Sequence, residues 1–153
     1  MTRNTDVNAA FSGPNIVISA QYIKDLSFES PNAPQIFAAG PEHHPDMQMG
    51  VNILTRTLAE NTYEVVLANK METRIDNRTA FIVELAYAGI FSLPPLDEDV
   101  IKKTLLINCP QLLFPFARSI IMSILRDSGF PQVMINPIDF AELYEQNQES
   151  AAA

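Results

Sequence analysis

The stretch MQMGVNILTRTLAENTYEVVLANKMETRIDNRTAFIVELAYA, residues 47–88, decides the fold. It reads as three strands, Met47 to Leu58, Thr62 to Ile75 and Thr79 to Ala88, separated by Glu60-Asn61 and Asp76-Asn77. Those residue types tolerate tight turns. Connections this short place neighbouring strands antiparallel, because a parallel pair needs a long crossover. The stretch is therefore a meander with no crossover helix.

Upstream, Asn15 to Glu29 reads as a further strand. Ile16, Ile18, Ala20, Tyr22, Leu26 and Phe28 occupy even positions, while Ser19, Gln21, Asp25, Ser27 and Glu29 occupy odd ones. That is the period-two pattern of a half-buried strand. Val17 and Lys24 interrupt it, which predicts a bulge or twist. Pro31 and Pro34 end the strand and open a loop to Pro45 that holds Phe37, Gly40, Pro41, His43 and His44. Residues 1–14 read as a loose arm.

Downstream, Pro94-Pro95 marks a break, and Asp97, Glu98 and Asp99 open a helix with acidic groups at the positive end of its dipole. The apolar helical pattern continues to Arg126, but it contains Pro110 and Pro115. An interior proline costs about 3 kcal/mol, so a short helix, a break near Asn108 to Pro110 and a longer helix ending before Gly129 are expected. Val133 to Ile138 is an extended connector between Pro131 and Pro137. Asp139 and Glu142 form a capping pair for a last helix from about Phe140 to Gln148, and 149–153 reads as a tail. Strands followed by helices argue an α+β class.

The 153 residues fit one domain. The apolar fraction is 47% and the charged fraction only 18%, so part of the apolar surface is available for association. A net charge of −8 disfavours nucleic acid and anionic membranes, and suits a basic partner. The one cysteine, Cys109, excludes an internal disulfide and reads as a buried structural thiol. Met1 to Asn15 has no signal-like apolar core, and no run approaches the ~20 apolar residues of a membrane span. A cytoplasmic protein is expected.

The chain is poor in catalytic and ligand motifs. His43 and His44 are adjacent, so on an extended chain they point opposite ways and do not share a metal readily; a solvated loop is the better reading. No nucleophile elbow or glycine-rich phosphate loop occurs. Two surface constellations stand out instead. Asp25 and Glu29 on the first strand, with Ile82 and Glu84 on the fourth, fall on the faces opposite Leu26, Phe28, Phe81 and Val83, giving an acidic, partly apolar sheet surface. Met47, Met49, Val51 and Ile53 share one face of the second strand; Phe37, Phe91, Val133, Ile135, Phe140, Leu143 and Tyr144 add further apolar groups. Methionines and aromatics make an adaptable surface for varied apolar partners. Periodicity alone separates neither constellation from an ordinary solvated face or an ordinary core.

Several blocks resemble the SecB family of bacterial protein-export chaperones: Tyr22 to Pro34, Tyr63 to Leu67, Ala80 to Glu84, Gly89 to Phe91, Cys109 to Arg118, Gly129 to Gln132 and Asn136 to Phe140. They span about residues 15–146 in the family's order. The resemblance implies a four-stranded antiparallel sheet with two helices on one face, and a dimer-of-dimers homotetramer. It implies a tetramer interface near Cys109, Phe114, Phe116 and Ile120 on the long helix. It implies a holdase that keeps unfolded precursors translocation-competent and delivers them to the SecA motor ATPase, with no catalysis, metal or cofactor. Asp25, Glu29, Ile82 and Glu84 match the family's acidic surface for the motor. Phe37, Met47, Met49, Val51, Phe91, Val133, Ile135, Phe140, Leu143 and Tyr144 match its client groove. The short, alanine-ended tail departs from the family's second motor contact. Two rivals stand beside this reading: a SecB-like chaperone dedicated to an antitoxin, and a small-molecule enzyme with a buried carboxylate.

Overall fold

The computed structural model describes residues 15–39 and 43–152. The expected arm and Gly40-Pro41 lie outside them.

Four strands form one antiparallel sheet: β1 (Val17–Glu29), β2 (Asp46–Ala59), β3 (Thr62–Ile75) and β4 (Arg78–Ser92), in the order β1-β4-β3-β2. The β2–β3–β4 meander follows from its turns. Asn61, Asp76 and Asn77 all have positive φ (55°, 52° and 61°), and Asp76-Asn77 closes a two-residue hairpin of the kind that needs left-handed backbone at both positions. β4 runs four residues past Ala88, because Gly89 to Ser92 still pair with both neighbours. The first strand does not touch β2. It pairs with β4, so the connection after Glu29 crosses the end of the sheet and includes a short 3-10 turn, Gln35–Ala38.

β1 departs from its apparent alternation. Its pairing with β4 shifts between Ile18 and Ala20 and again between Ile23 and Asp25. Each bulge adds one residue and exchanges the faces. Ala20 and Tyr22, paired with Ile90 and Ala88, therefore lie on the outer face, while Ile18, Leu26 and Phe28 lie on the core face. The expected interruption at Lys24 is one of these bulges; the other falls at Ser19, not at Val17.

The expected helix break does not occur. α1 (Glu98–Lys103), a π-helical turn (Thr104–Asn108) and α2 (Cys109–Asp127) run on as one helix of 30 residues. The Cys109 N–H donates to the Thr104 carbonyl five residues back, which widens the turn just where the Pro110 ring would strike the carbonyl four residues back. The joined helix is long and apolar enough to cross a membrane by length and composition, contrary to expectation. Its apolar residues have a nearer use. Cys109, Leu113, Ala117, Ile121 and Leu125 recur every fourth residue and are 0–1% exposed against the sheet. The helix ends where Gly129 takes φ +89°. α3 (Phe140–Ala152) starts with the Glu142 N–H donating to Asp139 Oδ1 at 3.1 Å, and it continues through residues expected to be tail.

The core lies between the helices and one sheet face. Val65, Leu67, Met71, Phe81, Val83, Leu85 and Phe91 pack there against Leu113, Phe114, Ile121 and Leu125. Gly89 sits where the helix comes closest: a Cβ there would lie 2.8 Å from the Phe91 ring and 3.0 Å from Leu113 Cδ2. Both neighbours are fully buried, so Gly89→Val should cost about 1–3 kcal/mol in urea denaturation. An unchanged midpoint would contradict this packing.

Candidate functional sites: an acidic sheet face and apolar grooves

The outer sheet face assembles the acidic residues. Glu29 pairs with Ile82, Ser27 with Glu84 and Asp25 with Ala86, so Asp25, Glu29, Ile82 and Glu84 share two adjacent strands on the side away from the helices. Asp25, Glu29 and Glu84 are exposed, and Ile82 is half-buried between them. Gly50, Ala68 and Ala86 floor a trough of about 460 Å³ beside them, rimmed by Asp25, Glu84 and Lys70. Lys70 Nζ lies 3.7 Å from Glu84 Oε1, a loose exposed pair that leaves most of the acidity uncompensated.

Further along the same face lies a carboxylate that the sequence reading missed. Glu64 is only 5% exposed. It accepts hydrogen bonds from the Tyr22 hydroxyl and, at 2.9 Å, from Lys24 Nζ; Arg56 Nη2 approaches to 3.5 Å. The signal was a lone charge inside the apolar run Tyr63 to Leu67. These donors, Tyr22 first and Lys24 next, hold the Glu64 carboxyl below its ordinary value of 4.5, against the opposing effect of burial. Burial, followed by the bond to Glu64, pushes Tyr22 up to about 12. A depressed carboxylate contributes stability that is present above its unfolded value and lost as pH falls through the folded one. The thermal-midpoint gap between wild type and Glu64→Gln should therefore narrow steadily as pH drops below 4.5. A gap that stays constant would mean Glu64 is not held as an anion.

The apolar residues divide between grooves and core. The larger groove, about 480 Å³, is bounded by Ile36 and Phe37 of the 3-10 turn, by Thr73, Ile75 and Phe81 of the sheet, and by Phe130 to Val133. Aromatic rings line up into it: Phe28–Phe81 at 5.9 Å, Phe81–Phe130 at 5.0 Å and Phe130–Phe37 at 4.8 Å. Phe37 is 49% exposed. His43 and His44 stand at its side, with His43 Nδ1 2.6 Å from Asp76 Oδ1. A smaller groove, about 190 Å³, brings Val51 and Ile53 of β2 to Leu106, Leu143 and Tyr144. Met47 and Met49 lie on the core-facing side of edge strand β2, paired with Thr73 and Met71; Met47 is exposed and Met49 half-buried.

Some expected site residues lie elsewhere. Phe91, Ile135 and Phe140 are 0%, 6% and 3% exposed, so they support the groove walls from within the core. Phe140 packs edge-on against Phe114 at 5.9 Å. Cys109 and Phe114, expected at a tetramer interface, are 0% and 5% exposed within the single chain, because their turn of α2 faces the sheet. Burial pushes the Cys109 thiol up to about 12, far from a nucleophile's range. Phe116 is 50% exposed, stacked on Tyr87 at 6.3 Å, and Ile120 is half-buried. Among the described residues no three His, Cys, Asp or Glu side chains converge as metal ligands would.

An antiparallel sheet with helices on one face, open apolar grooves beside an edge strand and an acidic outer face describe a protein built to hold other chains. The family model described as preprotein translocase subunit SecB matches residues 9–151, and the chain belongs to the SecB family. It is 43% identical to the protein-export protein SecB of Rhodopseudomonas palustris (strain BisB5), covering 94% of this chain and 90% of that one. It is 47% identical to the protein-export protein SecB of Paramagnetospirillum magneticum, covering 86% and 84%. Among solved structures, a SecB-like chaperone of Mycobacterium tuberculosis, in complex with an antitoxin peptide, superposes with a TM-score of 0.68 at 10% identity over 80% of this chain and 90% of that one, which shows the shared fold.

Proposed function

We propose that this chain is a holdase for protein export: it binds unfolded precursors in the cytoplasm, keeps them translocation-competent and delivers them to the SecA motor ATPase. The observation that carries this is the open aromatic groove beside edge strand β2. An unfolded client exposes apolar side chains, and the groove buries them without requiring one sequence, helped by the flexible Met47 and Met49. The unpaired edge of β2 offers backbone hydrogen bonds to an extended segment. Burial of the client's apolar groups favours its unfolded form and delays its folding by mass action. The export reading is favoured over an antitoxin-dedicated chaperone because relatives above 40% identity carry the export name, whereas the antitoxin-bound structure is 10% identical.

The acidic face would receive the motor, without any catalytic step by this chain. Association into a homotetramer is supported by exposed apolar groups on the long helix, Leu112 and Phe116, and on edge strand β1, Val17 and Ile23. Several weakly binding grooves on one particle would then act together on one client. Phe37→Ala should weaken binding of a labelled unfolded peptide by roughly tenfold, about 1.4 kcal/mol, in an anisotropy titration. An affinity equal to wild type would remove Phe37 from the client site.

A further inference from the structure

We propose that Glu64 is the pin that fixes the β1 bulge at Lys24, and through that bulge a positioning residue for the acidic docking face. The inference rests on the motor-docking reading above.

The register carries the argument. Before the bulge, Tyr22 pairs with Ala88 and Ile23 with Tyr87. A straight strand would continue with Lys24 opposite Ala86 and Asp25 opposite Leu85. Ser27 would then face Val83, and Glu29 would face Phe81. Leu85, Val83 and Phe81 are 1–2% exposed on the core face, so both carboxylates would be driven toward the core. In the observed register Asp25 pairs with Ala86, Ser27 with Glu84 and Glu29 with Ile82, one row along and on the outer face. One extra residue, Lys24, makes that difference.

Glu64 holds that residue. Its carboxylate takes the Lys24 ammonium at 2.9 Å and the Tyr22 hydroxyl, so two outward side chains of β1 at and before the bulge converge on one buried acceptor of β3. They reach it diagonally across β4, where Ala88 is the partner of Tyr22 and Ile90 the partner of Glu64. Arg56 on β2 approaches from the other side at 3.5 Å. At 5% exposure Glu64 offers almost no surface to a partner, so its effect on docking passes through the strand it holds.

The experiment compares Glu64→Gln, Lys24→Met and the conservative Lys24→Arg in the full chain. The register is read from the NMR cross-strand contact between Asp25 and Ala86, and affinities are measured for the SecA motor and for an unfolded peptide. Glu64→Gln and Lys24→Met should weaken the Asp25–Ala86 contact and lower motor affinity by about tenfold, with peptide affinity within about twofold of wild type. Lys24→Arg should retain all three. If either variant fails to fold, Tyr22→Phe removes a single donor and should give a smaller change of the same kind. An intact Asp25–Ala86 contact with unchanged motor affinity in both variants overturns the proposal. If Asp25→Ala and Glu84→Arg also leave motor affinity unchanged, the docking reading itself has failed, while the Asp25–Ala86 contact still reports on the pin.

Discussion

Phe81→Ala is expected to lower the unfolding free energy by about 3–5 kcal/mol. Phe81 is 1% exposed and lies where the core meets the larger groove. Its ring packs on Phe28 at 5.9 Å and on Phe130 at 5.0 Å, and Phe130 in turn supports Phe37 at 4.8 Å. Truncation removes a large buried side chain and leaves a void that β4 cannot close, because the strand is paired on both edges. The groove loses its floor in the same step. Urea denaturation measures the first effect, and a loss below about 1.5 kcal/mol would place Phe81 outside the tight core. Phe81→Leu, which keeps more of the volume, should stay folded and bind an unfolded peptide more weakly than wild type.

Glu84→Arg is expected to weaken binding of the SecA motor by about tenfold or more, with Asp25→Ala acting in the same direction and less strongly. Glu84 is exposed, pairs with Ser27, and stands one row from the Asp25 and Glu29 rows. Reversal changes the local charge by two and sets a second cation against Lys70, now 3.7 Å from the Glu84 carboxylate. Both side chains reach solvent, so the fold should lose no more than about 0.5 kcal/mol. Rising salt should weaken wild-type binding more than variant binding, because the lost component is screened attraction. Calorimetric titration gives both numbers, and equal motor affinity in wild type and both variants would reject the assignment of this face. The proposed client groove lies on the opposite side of the sheet, so client binding should not change.

The meander was legible because its turns are chemically explicit: Asp76-Asn77 takes positive φ at both positions, which fixes the β3–β4 hairpin. The acidic face was legible because β4 alternates strictly. β1 was not, since bulges at Ser19 and Lys24 exchange its faces twice and pairing with β4, absent from the local pattern, decides where they fall. The uninterrupted helix was missed for a related reason. Local chemistry penalises Pro110, but the row from Cys109 to Leu125 packs on the sheet, and a single π turn accommodates the ring. Apolarity could not sort Phe91, Ile135 and Phe140, which are core, from Phe37 and Val133, which line a groove. Glu64 drew no notice because its two hydrogen-bond donors, Tyr22 and Lys24, come from β1, 42 and 40 residues away in the chain.

The central claim is that the aromatic groove holds unfolded chains. The most direct test follows the refolding of a slowly folding export precursor by intrinsic fluorescence, with and without excess of this protein. Slowed or arrested refolding, relieved when Phe37→Ala replaces the wild type, is the predicted result. Refolding at the same rate with a large excess of the wild-type protein would contradict the account.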